Sequence, residues 1–260
     1  MKKSLSKLIT PFENLTPSKT KIILFGWVLM LITFWTISAT GETNIFPTPL
    51  KVLAGFGNLW NNGLTIHLFS SFALCFQAVV YSVLISMVLA YATTLPILNP
   101  WGNIISKLRF LPLAGIAFYI TIMITSARQI QVWVLVVFMT TYLVTSLIQM
   151  IKDIPEEEIN HARTLGCNRW EILWEVVIKG RIDYVFELVR QNLAIVWMML
   201  VTVESILVAA GGLGVLIKNS DRVGDTGSVI AAQIVIIFVG VFLDFLLVKT
   251  RKLIFRYSNY

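Results

Sequence analysis

Long stretches of this chain hold no charged residue, and their placement sets the first expectation. Residues 22–41, 52–106, 110–127 and 129–151 are free of Asp, Glu, Lys and Arg, while 191–217 carry only Glu204 and 226–248 only Asp244. A helix needs about 17–25 mostly apolar residues to cross a bilayer. The 52–106 run is too long for one helix. Gly, Pro and Asn gather at both its ends, which narrows it to one long span near 66–95. The pattern predicts six spans, at roughly 22–40, 66–95, 104–126, 130–151, 191–211 and 228–248. The fold class that follows is all-α, a polytopic membrane protein with six transmembrane helices. Composition agrees, since 57% of the 260 residues are hydrophobic and 13% charged, against roughly 25% charged in soluble domains.

The segments between spans have their own patterns. A polar leader over 1–20 precedes the first span, whose apolar run exceeds the usual signal-peptide core of about 7–15 residues. No A-x-A site follows it, so it reads as a retained helix. In the segment 41–65, Pro47 and Pro49 force an extended entry. The run "LKVLAGFGNLW" then predicts a short interfacial helix with Leu50, Leu53, Phe56 and Trp60 on one face. Pro112 near the start of the third span is tolerable where neighbours satisfy the freed carbonyl. The short "SARQI" makes spans three and four a tight hairpin. Gly211, Gly212 and Gly214 end the fifth span, leaving 213–227 as a loop with a short re-entrant piece at "LGVLI".

Charge then gives direction. With the N-terminus inside, Lys51, Arg128, Lys218 and Arg222 are outside and the other 17 of the 21 basic residues are inside. Both termini are expected in the cytoplasm. The net charge of +7 is accounted for by cytoplasmic loops facing anionic membrane lipid, not by nucleic acid. Cys75 and Cys167 fall in a span and a loop, and are expected as free thiols. His67 and His161 belong to no cluster with metal-ligand spacing. The chain has no G-x-x-x-x-G-K-[ST] motif, so no nucleotide site is expected on it. No cofactor, metal or catalytic residue is expected.

The polar segment between spans four and five is the exception in an apolar chain. In "DIPEEEINHARTLGCNRWEILWEVVIKGR", Pro155 suits a first helical turn, and Glu156, Glu157 and Glu158 complement the positive end of a helix dipole. Ile154, Ile159, Ala162 and Leu165 form an apolar stripe, and Gly166 is a natural stop. Asn168-x-x-Glu171 has the form of a capping box, and Trp170, Ile172, Leu173, Val176 and Val177 lead back to the membrane. Helix, glycine turn and helix make a knob, the kind of surface that docks into a partner's groove. The plain reading is a solvated linker with two amphipathic pieces.

That segment resembles the EAA loop of binding-protein-dependent ABC importer permeases, whose pattern is E-A-A-x-x-x-G-x9-I-x-L-P. Gly166 is the glycine, Ala162 the second alanine, and "ARTLG" a common rendering in the family. Asn160, His161 and Lys179 depart from it, and Val176 and Ile178 keep apolar positions. Other pieces resemble the nitrate/sulfonate/taurine type in the same order. They are "FPTPLKVLAGF", the His67 and Ser71 pair, "LRFLPLAGIAF" with Arg109, Pro112 and Ala114, "VESILVAAGGLGVLI" with Glu204, Gly212, Leu213 and Gly214, and Asp244 near the end. Glycines usual in the second span are replaced by "AVVYSVLISMVLAY".

The resemblance implies a type I importer-like permease domain over 21–260, with a coupling loop at 152–182 and the leader 1–20 on the cytoplasmic side. It implies an inner-membrane homodimer, two separate ABC ATPase subunits that carry out ATP hydrolysis, and a periplasmic or lipid-anchored substrate-binding protein. The cargo would be a small anion or small organic solute. Glu157, Glu158, Asn160, His161, Ala162, Leu165, Gly166 and Trp170 would form the ATPase-docking loop. Glu204, Gly211 and Gly212 would line or gate the pathway, or Glu204 would instead make a structural hydrogen bond. Asp244 reads as structural, near Lys249 and Arg251, and Arg128 as a solvated loop residue. Two other classes compete. One is an ion-coupled secondary transporter or membrane enzyme using Glu204 and Asp244. The other is a non-transporting scaffold that docks a partner through the loop.

Overall fold

A computed structural model describes residues 17–39 and 46–255; most of the polar leader lies outside the described residues. The elements are α1 (Pro17–Ala39), α2 (Pro49–Asn61), α3 (Leu64–Ala92), α4 (Asn99–Lys107), α5 (Leu113–Met123), α6 (Ala127–Lys152), α7 (Glu156–Thr164), α8 (Arg169–Ile172), α9 (Ile182–Ile206), α10 (Leu213–Val223) and α11 (Thr226–Ile254). A π turn (Leu173–Ile178) and a 3₁₀ turn (Lys179–Arg181) join α8 to α9. No strand occurs among the described residues. Five stretches are long and apolar enough to cross a membrane, and the pair Asn99–Phe110 and Leu113–Met123, bent by 104°, supplies a sixth crossing.

The bend corrects the expectation of one helix over 104–126. Pro112 has extended backbone and stands before α5, so the chain turns between two short helices. Topology still requires a crossing there. Ser82 Oγ donates to the Val136 carbonyl at 3.3 Å and Ser86 Oγ to the Thr140 carbonyl at 3.4 Å. Both pairs share one sequence offset, so α3 and α6 run parallel and the chain must return across the membrane between them.

Small residues make that parallel contact close. Ala78, Ser82, Ser86 and Ala90 recur every four residues on α3, and all four are buried. Association of helices in lipid depends on such close packing, because the tails offer no hydrophobic gain between apolar surfaces. α6 is the central helix, with Leu135, Met139, Leu143 and Val144 almost fully buried. By contrast α1 is exposed along most of its length, and Trp35 Nε1 ties it to the Pro47 carbonyl at 3.1 Å.

A helix forms here as α2, with most of the apolar face named from the sequence turned outward. Leu50, Leu53 and Trp60 are exposed, whereas Val52, Gly55 and Leu59 are buried. Backbone contact decides this. A Cβ at Gly55 would lie 2.6 Å from the Gly227 carbonyl carbon on α11, so the two helices cross glycine on glycine. Asp225 caps α11, accepting from Ser228 N–H at 3.0 Å and from Asn58 Nδ2 of α2 at 3.2 Å. The Ser228 hydroxyl, ahead of that amide, holds its carboxyl below the usual range. The expected loop over 213–227 is mostly the helix α10, with Leu213, Val215 and Leu216 buried.

Gly55→Val overpacks this crossing and is expected to lower stability by about 1–3 kcal/mol. Gly57→Ala, which meets nothing within 4 Å, is expected to be neutral or to gain up to about 1 kcal/mol from helix propensity. Thermal unfolding of both variants in detergent compares them.

Candidate functional site

Two regions draw together the residues that the sequence singles out, one at each end of the molecule. At the first, α7 and α8 fold as a helical hairpin. Gly166 has φ +84°, a backbone region that side-chain-bearing residues avoid. Cys167 N–H donates to the Ala162 carbonyl at 3.1 Å and Gly166 N–H to the Arg163 carbonyl at 3.0 Å, closing the helix end in the Schellman manner. Asn168 N–H donates to Glu171 at 2.6 Å, completing the expected capping box.

The stripe on α7 divides. Ile154 and Ala162 are buried and Ile159 half-buried, but Leu165 is 71% exposed and stands out at the turn with Trp170, 65% exposed. Glu157, Asn160, His161 and Gly166 are also exposed. Glu158 is engaged from within the chain: Arg181 donates to both its oxygens, at 2.6 and 2.7 Å. That bond clamps α7 to the segment leading into α9. Since α8 continues through the π turn, Arg169–Ile206 forms one helical stretch of 38 residues. At the other side Gln149 Nε2 donates to Asp153 at 2.8 Å where α6 ends. The hairpin is therefore tied to the start of α9 through Arg181 and leaves its tip free.

Above the hairpin, an ion network joins α9 to α11. Glu187 accepts from Arg190 of its own helix and from Arg251 of α11, the latter at 2.7 Å, and Arg190 also pairs with Asp244. Asp244 thus finds its partner on another helix, not in the nearby Lys249 or Arg251. A cavity of about 990 Å³ opens here between α6 and α9, lined by Thr145, Gln149, Tyr184 and Gln191 with Arg109, Arg181 and Arg251 and the acids Asp153 and Glu187. Arg109, placed at the mouth by the bend before Pro112, has no carboxylate partner among the described residues.

The second region surrounds Glu204, which is 0% exposed near the end of α9. Ser71 Oγ of α3 donates to its Oε1 at 2.6 Å, and Gly214 N–H of α10 donates to its Oε2 at 2.9 Å. Leu213 N–H donates in turn to Ser71 Oγ at 2.9 Å, and Gly212 N–H to His67 Nδ1 at 3.0 Å. Gly212 has φ +124°, and a Cβ there would overlap the Glu204 carboxylate. α9 unwinds at Leu207, whose carbonyl accepts from Gln131 Nε2 of α6 at 3.0 Å. The re-entry of the chain after α9 is thus held by α3, α6 and α9 together. Arg128, expected as a solvated loop residue, donates instead to the Ser70 carbonyl at 2.7 Å and its hydroxyl at 3.2 Å.

Gly211 and Gly212 join Glu204 in this region, and His67 and Ser71, linked to it by the sequence resemblance, meet it directly. Gln131 and Arg181 carry roles that sequence reading missed. Each is polar in a stretch chosen for its apolar or looping pattern, and no local spacing ties it to its partner.

Six crossings with a helical hairpin between the fourth and fifth make the molecule a multi-pass membrane permease in form. The model of the family described as "Binding-protein-dependent transport system inner membrane component" matches residues 21–252. The chain belongs to that family, as an ABC importer permease subunit of the nitrate/sulfonate/taurine type. It is similar to the taurine transport system permease protein TauC of Escherichia coli (strain K12), 25% identical over 87% of this chain and 86% of that one. It is also similar to the nitrate import permease protein NrtB of Synechococcus elongatus (strain ATCC 33912 / PCC 7942 / FACHB-805), 30% identical over 40% of this chain and 38% of that one. A crystal structure of an amino acid ABC transporter with histidines has the same fold, with a TM-score of 0.62 at 18% identity over 76% of this chain and 95% of that chain.

Removing the Glu204 carboxylate leaves the Ser71 hydroxyl and the Gly214 amide without their acceptor. Glu204→Ala is expected to cost about 1–3 kcal/mol, Glu204→Gln less, and Gly212→Ala at least as much as Glu204→Ala. Thermal unfolding in one detergent ranks the three, and a Glu204→Ala variant as stable as wild type contradicts the assignment.

Proposed function

We propose that this chain forms half of the substrate pathway of an ATP-driven importer and takes its driving force through residues 152–182. Two copies would stand side by side in the membrane, with both termini in the cytoplasm. Two separate ABC ATPase subunits would hydrolyse ATP and receive the loops in surface grooves. A binding protein would deliver cargo from outside. The observation that carries this reading is the exposed tip of Leu165 and Trp170 on a hairpin clamped to the start of α9, in a member of a permease family. Exposed apolar anchors on a helix are what groove recognition uses. ATPase closure would draw the hairpins together and rock the attached spans, an alternating-access motion of rigid bodies.

Small anions are the cargo class we favour. Relatives are named for taurine, bicarbonate and nitrate, and the cavity between α6 and α9 presents Arg109 without a carboxylate partner among the described residues. A guanidinium recognises planar oxyanions through paired hydrogen bonds. The ion-coupled alternative would need a carboxylate that water can reach. Glu204 is sealed and already holds two donors, and Asp244 is paired with Arg190.

Gentle-detergent purification of the tagged chain from its native membranes is expected to bring an ABC ATPase with it. Gly166→Pro, which cannot adopt the required φ, and Leu165→Glu are expected to remove most of that ATPase while leaving the helical signal of the chain unchanged. Recovery of folded wild-type chain with no ATPase contradicts the reading.

A further inference from the structure

A second cavity, of about 520 Å³, lies between the α3–α4 turn and the 152–181 hairpin. That size is within the roughly 300–1,000 Å³ usual for ligand sites. Much of its wall is apolar, with Leu95, Ile148, Ile151, Ile172 and Val177, Trp170 borders it, and Thr93, Thr94, Asn99 and Asn103 form a polar part. Two cations, Lys152 and Arg169, also line it, and no acid among the described residues does. Neither cation has a carboxylate partner among the described residues.

Position decides the kind of ligand. The cavity sits where α3 and α6 reach the membrane edge and α4 turns away from the third crossing. The outer side of that region is apolar and open: Ile97 is 81% exposed, Trp101 58% and Ile104 51%. An amphipathic helix with exposed Trp and Ile beside Lys and Arg is built to lie in the headgroup layer. The cavity thus lies beside apolar surface suited to lipid, with Asn99, Gly102 and Asn103 of α4 in its wall, and its uncompensated charge is positive. We propose that it is a binding site for one anionic phospholipid, with an acyl chain along the apolar wall and the phosphate held between Lys152 and Arg169. The lipid would brace the inner side of the hairpin, opposite the free tip of Leu165. The proposal goes beyond the importer reading and does not require it, since it concerns the chain with or without its ATPase.

Native mass spectrometry of the purified chain, titrated with equal amounts of dioleoyl phosphatidylglycerol and dioleoyl phosphatidylcholine, tests it. Preferential retention of one phosphatidylglycerol is expected, falling roughly ten-fold or more in the double variant Lys152→Gln/Arg169→Gln, with an unchanged thermal midpoint in lipid-free detergent. Equal retention of both lipids, or a double variant that keeps the preference, overturns the proposal. A second measurement needs no charge variant. In nanodiscs, phosphatidylglycerol brominated on its acyl chains is expected to quench more tryptophan fluorescence than brominated phosphatidylcholine, and Trp170→Phe is expected to remove the difference. Quenching that is equal for the two lipids overturns it as well. Loss of the bound phosphatidylglycerol when an ABC ATPase is added also overturns it, because the cavity then receives protein.

Discussion

A buried carboxylate holds together the end of this molecule opposite the hairpin. Glu204 sits in a membrane helix, where an acid costs at least about 2.5–3.5 kcal/mol on insertion scales. That cost is offset because the chain cannot simply continue as helix beyond it. After Ile206 the backbone breaks, and groups freed in an apolar setting must find partners. Glu204 takes the Gly214 amide and the Ser71 hydroxyl, Ser71 takes the Leu213 amide, His67 the Gly212 amide, and Gln131 supplies the Leu207 carbonyl. One acid and a few polar neighbours thereby fix α9, α3, α6 and α10 relative to one another. A side chain at Gly212 has no room in that arrangement.

The opposite end is organised by paired charges instead. Arg181 on Glu158 makes the hairpin continuous with α9, and the Glu187, Arg190, Arg251 and Asp244 network carries that rigidity across to α11. Exposed ion pairs are individually weak, but these are partly sheltered and linked in a chain, so they act on geometry more than on stability. Small residues bring the parallel α3 and α6 close beside this network.

Much of this was legible in the sequence because membranes impose simple rules. Charge-free runs gave the spans, and Gly166 with Asn168-x-x-Glu171 gave the hairpin. Local chemistry alone fixes both. The misses share a cause, which is dependence on another helix. The face by which α2 packs on the protein is set by Gly227 on α11, so Val52, Gly55 and Leu59, which the sequence did not single out, are the buried ones. The third span turns at Pro112, and α4 packs Gly102 against Ile148 of α6, a contact that no spacing within 99–123 announces. Leu165 continues the apolar stripe of α7 in sequence but lies beyond the point where α8 can cover it.

In the proposed function the hairpin tip is where an ATPase engages this chain. A photo-crosslinking amino acid placed at Leu165 in cells tests it directly, with Phe238 on the exposed face of α11 as the comparison. An adduct is expected between position 165 and an ABC ATPase subunit, and none from position 238. A chain inserted normally in the membrane that gives no ATPase adduct from position 165 contradicts it.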